Sequence, residues 1–166
     1  MTIYRRIFKL YTGRSLLDVG CSFGFLSVLL AERMPEALLM GCDANPNAIR
    51  FSTDLAEITG TSHVTFTVQD LLDETFLRRG PFETVTALHV LEHLPEHFLS
   101  VSFTHLLRLT SKHLISAVPY EQHATLSYGH ENVFNRENAP YLIRRWRRKG
   151  MDKTIFDVAF LNGYPK

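Results

Sequence analysis

Cysteine is scarce. The chain of 166 residues has two, Cys21 and Cys42, and their spacing fits neither a disulfide framework nor a zinc motif. That excludes a small fold stapled by covalent bridges and points to a reducing, cytoplasmic setting. Long apolar runs are lacking as well. No stretch reaches the ~18 residues of a membrane span, so no membrane partner is expected. The first residues, Met1 to Phe8, carry basic side chains but no apolar core and no small-residue cleavage site, so no secretory leader is expected either. Net charge is nearly absent, with 18 Lys plus Arg against 17 Asp plus Glu. That balance argues against nucleic acid held by a global field. Repeats, low-complexity tracts and interdomain linkers are missing too. What remains is one domain over residues 1–166, long enough for a single substantial core.

What is present is organised around Leu16-Leu17-Asp18-Val19-Gly20-Cys21-Ser22-Phe23-Gly24-Phe25. A short apolar strand runs into a glycine-containing turn, and the turn opens an apolar helix that Pro35 stops. Such a turn lets a ligand approach the main chain, and the helix N-terminus behind it suits a carboxylate or phosphate. The dinucleotide fingerprint needs glycine where this chain has Ser22 and Phe25. The turn is therefore a poor pyrophosphate cradle. Asp18, two residues before Gly20, would repel a diphosphate but could hold an ammonium group.

Two further apolar strands also end in acids. Ala37 to Asp43 is the first, followed by a helix that Asn45 caps and Pro46 begins. Asp43 lies 19 residues after Gly24, where Rossmann-like folds place the acid that accepts from both ribose hydroxyls. Val64 to Asp70 alternates as the next strand. A plainer reading has Asp43 favouring a helix dipole and Asp70 to Asp73 capping a short helix. Phe82 to Val90 reads as strand 4, and His113 to Pro119 as strand 5, stopped by the proline. Further helices are expected over residues 2–13, Phe98–Leu109 and 139–149, the last with Arg144, Arg145, Arg147, Arg148 and Lys149 on a solvated face. Strand 6 is expected over Thr154 to Phe160.

Asp-x-Gly-x-x-x-Gly from Asp18 resembles motif I of the class I S-adenosylmethionine-dependent methyltransferases. Val90-Leu91-Glu92-His93-Leu94-Pro95 resembles a loop of their ubiquinone and menaquinone type, and the run from Gly129-His130 to Asn135 resembles a later segment of the same subgroup. Ser22 stands where the family usually has a middle glycine, and Asn132 or Val133 where it usually has a basic residue.

The resemblance implies an α/β, Rossmann-like doubly wound sheet, mostly parallel, in the order 3-2-1-4-5 plus one further strand. The family's usual seventh strand finds too little chain after Phe160. A bare sheet edge invites a second copy, so a homodimer is expected. The implied activity is transfer of a methyl group from S-adenosylmethionine to an O, N or C atom of a small-molecule acceptor, leaving S-adenosylhomocysteine. A short N-terminal region suggests an open cleft and a bulky or carrier-bound acceptor.

The implied cofactor contacts are Asp18, Gly20, Cys21, Ser22, Phe23 and Gly24 for the methionine end and Asp43, Ala44 and Asn45 for the ribose. Asp70 and Leu71 serve the adenine, and Leu88 and His89 lie beside the sulfonium. His93 and His130 are the candidate catalytic residues. Tyr120, Glu121, His123 and Tyr128 are candidates for the acceptor, because a loop after strand 5 should border the crevice. Some quinone O-methyltransferases are metal-assisted and use an acid near the position of His89. His89, His93 and His97 recur every four residues, but His89 is expected in the strand, so no metal ligand is assigned. Two rival readings stay open: a methyltransferase-like binding or scaffold protein without activity, and an NAD(P)-dependent oxidoreductase, against which Ser22 and Phe25 argue.

Overall fold

A computed structural model describes residues 5, 7–8, 11, 13–120, 129–135 and 155–162. The expected helix at 139–149, with its basic run, lies outside these residues, as do Glu121, His123 and Tyr128.

The described elements alternate strand and helix: β1 (Ser15–Val19), α1 (Phe25–Arg33), β2 (Leu38–Asp43), α2 (Pro46–Ile58) and β3 (Val64–Val68), then β4 (Phe82–Leu88), α3 (Glu96–Arg108), β5 (Thr110–Tyr120) and β6 (Ile155–Asn162). Short 3-10 turns at Glu74–Arg79 and Leu91–His93 flank β4. The six strands form one sheet in the order β3-β2-β1-β4-β5-β6, and every ladder is parallel. The expected order 3-2-1-4-5 plus one strand is thus observed, with β6 directly beside β5. Parallel neighbours need crossovers, and crossovers put helices on both faces.

The period of two along each strand sorts the side chains between those faces. From β1 and β4, Leu17, Val19, Val85 and Ala87 join Phe76, Phe103 and Leu106 in one apolar cluster. Leu16, on the opposite face of β1, joins Leu26, Leu30, Leu39 and Ile115 in the other. Ile7 is helical and fully buried in that second cluster, and the Arg33 guanidinium lies 4.7 Å from the Phe8 ring centre. Asn45 caps α2 by accepting from the Asn47 N–H at 3.0 Å, as its sequence position predicts. Among the described residues no helix is long and apolar enough to cross a membrane.

Several boundaries differ from expectation: β3 ends at Val68 rather than Asp70, α3 begins at Glu96 rather than Phe98, β5 begins at Thr110 rather than His113, and β6 runs on to Asn162 rather than Phe160. β4 ends at Leu88 rather than Val90, because His89 takes a left-handed conformation with φ 57° and turns the chain away. Pro119 does not stop β5: it pairs in register with Leu161 of β6, and Tyr120 follows it in the strand. Leu88 and Ala117 are the last pair of the β4–β5 ladder. Backbone groups alternate sides along a strand, so the N–H that proline lacks would face the flank where β4 has already ended.

Phe103 is 1% exposed in the larger cluster, whereas Phe51 is 46% exposed. Phe103→Ala is expected to cost about 3–5 kcal/mol of stability in urea unfolding. Phe51→Ala is expected to cost less than about 1 kcal/mol, and equal losses would overturn this assignment of the core.

Candidate functional site

β1 delivers the chain into a turn where Gly20, Ser22 and Gly24 have φ of 67°, 49° and 75°. A Cβ added at Gly20 would lie 2.4 Å from a Val90 methyl; at Gly24 it would lie 2.6 Å from the Ser52 Cβ. Glycine is required at both by conformation and by space. α1 begins directly behind the turn, and the first N–H groups of a helix lack intrahelical partners. Ser22 and Phe23 are exposed, and the rings of Phe23, Phe25 and Phe51 meet edge-on beside them.

Asp43 ends β2 and ties this turn to the next one. Its Oδ2 accepts from the Ser22 N–H and its Oδ1 from the Asn45 N–H, both at 2.9 Å. Each carboxylate oxygen keeps a second lone pair for a ligand. Ala44 and Asn45 are exposed at the start of α2. Asp70 lies just beyond β3, exposed, with Oδ1 accepting from the Leu72 N–H at 2.8 Å. Leu71 beside it is buried in the larger cluster. The neighbouring Asp73 caps the following 3-10 turn.

Asp18 sits deeper than the sequence suggested. It is the fourth of five residues in β1 and is 3% exposed, on the Leu16 face that α1 covers. Its Oδ2 accepts from the Ser27 hydroxyl of α1 at 2.9 Å, and its Oδ1 from the Thr86 hydroxyl of β4 at 2.7 Å. It therefore anchors the turn from beneath. Cys21 and Cys42 are buried nearby; burial, then the Asp18 charge, raises the Cys21 thiol and pushes Cys42 up to about 12. Both act as small core residues rather than nucleophiles.

The chain after β4 meets this turn through Val90, whose methyl abuts Gly20. Leu88 and His89 are half-buried there. His89 Nδ1 lies 3.0 Å from Glu92 Oε1, while Glu92 is fully buried and its Oε2 has no hydrogen-bond partner. The segment at residues 129–135 docks across the Leu91–His93 turn. The Glu92 carbonyl accepts from the Glu131 N–H at 2.7 Å and the Asn132 N–H at 3.1 Å, and the Asn132 side-chain amide donates to the Leu94 carbonyl. His93 Nδ1 is 3.1 Å from the Gly129 carbonyl, and the His93 and His130 ring centres are 5.0 Å apart.

The structure thus brings His93 and His130 together. It leaves His97 apart, on α3 against the Phe98 ring. Tyr120 is the last residue of β5. Sequence reasoning named no role for Glu92. One ligand atom from each of Glu92, His93 and His130 lies within 4.8 Å of the others. The available signal was the spacing of His89 and Glu92, which places their side chains together in one turn.

Comparison with known proteins gives the family and the fold. A family profile described as a methyltransferase domain matches residues 16–113. The ubiquinone biosynthesis O-methyltransferase of Glaesserella parasuis is 29% identical over 113 residues, covering 64% of this chain and 46% of that protein. The chain spans about a third to a half of the length of the curated relatives it matches. Among solved structures, the methyltransferase domain of bacterial CtHen1-C superposes with a TM-score of 0.71 at 17% identity, covering 89% of this chain and 80% of that one. Magnesium protoporphyrin IX methyltransferase from Synechocystis, with bound SAH, gives 0.67 at 23% identity, covering 87% and 69%. At such identities the structural likeness shows the fold.

Two predictions follow from this geometry. Gly24→Ala is expected to cost about 2–4 kcal/mol in urea unfolding, from a left-handed backbone and the clash with Ser52. Ser22→Gly is expected to cost nothing; a loss comparable to that of Gly24→Ala would refute the strain at position 22. Asp18 is pushed up from 3.8 to about 6, by burial first, with Asp43 adding and the Thr86 and Ser27 hydrogen bonds opposing. The folded chain then binds a proton that the unfolded chain releases. The stability due to Asp18 is full below pH 3.8 and is lost as pH rises through about 6. Relative to Asp18→Asn, the native chain should lose about 2 kcal/mol between pH 4 and pH 7.5. Parallel pH profiles of the two proteins in urea unfolding would contradict this.

Proposed function

Because the chain belongs to the methyltransferase-domain family, we propose that it transfers the methyl group of S-adenosylmethionine to an oxygen, nitrogen or carbon atom of a small-molecule acceptor. One observation carries this reading. The Gly20–Gly24 turn, Asp43 and the Asp70–Leu71 pair stand at the ends of three neighbouring strands, beside the point where the strand order reverses. Ligands of open α/β sheets bind in that crevice.

The residues fit the cofactor part by part. The turn and the α1 N-terminus receive the methionine carboxylate through N–H groups. Asp43 accepts from the ribose hydroxyls with its remaining lone pairs. Asp70 accepts from the adenine amine while Leu71 lines the ring. Asp18 acts through the turn it anchors. The cofactor supplies an activated methyl carbon: a lone pair of the acceptor forms the new bond as the sulfur–carbon bond breaks, leaving S-adenosylhomocysteine.

The protein's share is alignment and exclusion of water, and alignment alone can supply about 7–11 kcal/mol. Leu88 and His89 bring the chain after β4 against the turn. His93 and His130 meet where that chain contacts the 129–135 segment, which supports reading them as the residues that orient the acceptor or take its proton.

Titration calorimetry with S-adenosylhomocysteine tests the reading. Binding is expected, with Asp43→Ala weakening it about 10–100-fold, the loss of one or two hydrogen bonds to a charged group. Binding of NADH in place of S-adenosylhomocysteine, or affinity unchanged in Asp43→Ala, would overturn it.

A further inference from the structure

We propose that His105, buried on α3, is a positioning residue for recognition of the adenine amine, acting on the Asp70 carboxylate through the peptide between Leu71 and Leu72. The inference rests on the methyl-transfer reading, in which Asp70 accepts from that amine. Two hydrogen bonds carry it. A carbonyl only accepts, so His105 Nδ1 donates to the Leu71 carbonyl, at 2.8 Å. The N–H of the same peptide belongs to Leu72, and it donates to Asp70 Oδ1, also at 2.8 Å. A trans peptide is planar, with its C=O and N–H pointing opposite ways. Holding the oxygen therefore sets the direction of the N–H, and the N–H sets the carboxylate. Asp70 Oδ2 keeps its lone pairs for a ligand.

The turn itself leaves this peptide free to choose. Asp70 to Asp73 is a four-residue turn, closed by the Asp73 N–H on the Asp70 carbonyl at 3.1 Å, and Leu71–Leu72 is its central peptide. The common turn types differ by a rotation of that unit. The other bonds nearby act at the turn's ends. The Gln69 N–H donates to the Asp43 carbonyl at 2.9 Å, and the Gln69 amide donates to Asp73 Oδ2 at 3.0 Å. His105 holds the middle, in the orientation that keeps the Leu72 N–H on Asp70.

The location of His105 shows what its ring is for. It is 3% exposed, on the side of α3 that also buries Ser102, Phe103 and Leu106. An imidazole in such a place is costly unless its polar atoms are paired. Its partner lies 34 residues earlier in the chain, after β3, whereas α3 joins β4 to β5. The bond therefore ties the turn that receives the base to the other half of the sheet. Leu71 is 7% exposed, so little water can replace a lost donor.

The test is calorimetry with S-adenosylhomocysteine and S-inosylhomocysteine, whose base has a carbonyl where adenine has the amine. The native chain should bind the first at least about 10-fold more tightly, and Asp70→Ala should erase that preference. His105→Leu should cut it to less than about 3-fold. His105→Asn, which keeps a donor at the place of Nδ1, should restore it. Leu106→Val, a change in the same helix and core, should leave it intact. Thermal unfolding checks that each variant folds; should His105→Leu fail to, His105→Gln, whose donor lies beyond the place of Nδ1, replaces it. A full preference in the variant without the donor, an equal loss in Leu106→Val, or no rescue by His105→Asn overturns this inference and leaves the methyl-transfer reading standing. A native chain that binds S-adenosylhomocysteine without the preference removes the amine from Asp70 and the inference with it. A native chain that binds neither ligand overturns the underlying reading.

Discussion

The order of the strands reverses between β1 and β4, and the remaining architecture depends on that reversal. β1 feeds outward to β2 and β3, and β4 outward to β5 and β6. Right-handed crossovers then send α1 to one face and α3 to the other. The chain leaving β1 and the chain leaving β4 depart in opposite directions, so a crevice opens between them at the carboxyl ends of the strands. On its floor the Val90 methyl lies close against Gly20. A side chain at position 20 would force the Val90 side chain to shift. Asp43 secures the other side of the floor by holding the backbone of Ser22 and Asn45 at once.

Much of this was legible in the sequence because it is local. A strand reads as a short apolar run, its end as an acid or a glycine, and the next helix as a cap such as Asn45 with Pro46 behind it. The depth of Asp18 was less legible. Alternation along β1 places Asp18 on the face of Leu16, but its burial depends on Ser27 nine residues later and Thr86 on another strand. Pro119 misled for the opposite reason. A proline ends a strand only if its missing N–H faces a partner, and that depends on where the neighbouring strand stops. Glu92 is buried because a segment nearly forty residues on docks over its carbonyl. No window around Glu92 contains that information.

Among the described residues, two other than glycine take left-handed conformations, Ser22 and His89, one in each of the turns that leave the two halves of the sheet. Such a conformation persists where neighbours over-determine it. Asp43 fixes the amide of Ser22, and Ala117 and Glu92 fix His89 through its backbone N–H and its ring. The two strained positions therefore hold the crevice from opposite sides, and both are departures from what the family resemblance leads one to expect. Their physical settings differ. At position 22 the backbone N–H carries the contact, so a serine can stand where a glycine would be easier. At position 89 the side chain carries the contact, so exchanging it changes the chemistry offered to Glu92. The half of the crevice made by main chain and strand-end carboxylates is thereby settled by local sequence. The half made by His89, Glu92, His93 and His130 is settled by contacts between turns far apart in sequence, which no single stretch of chain contains.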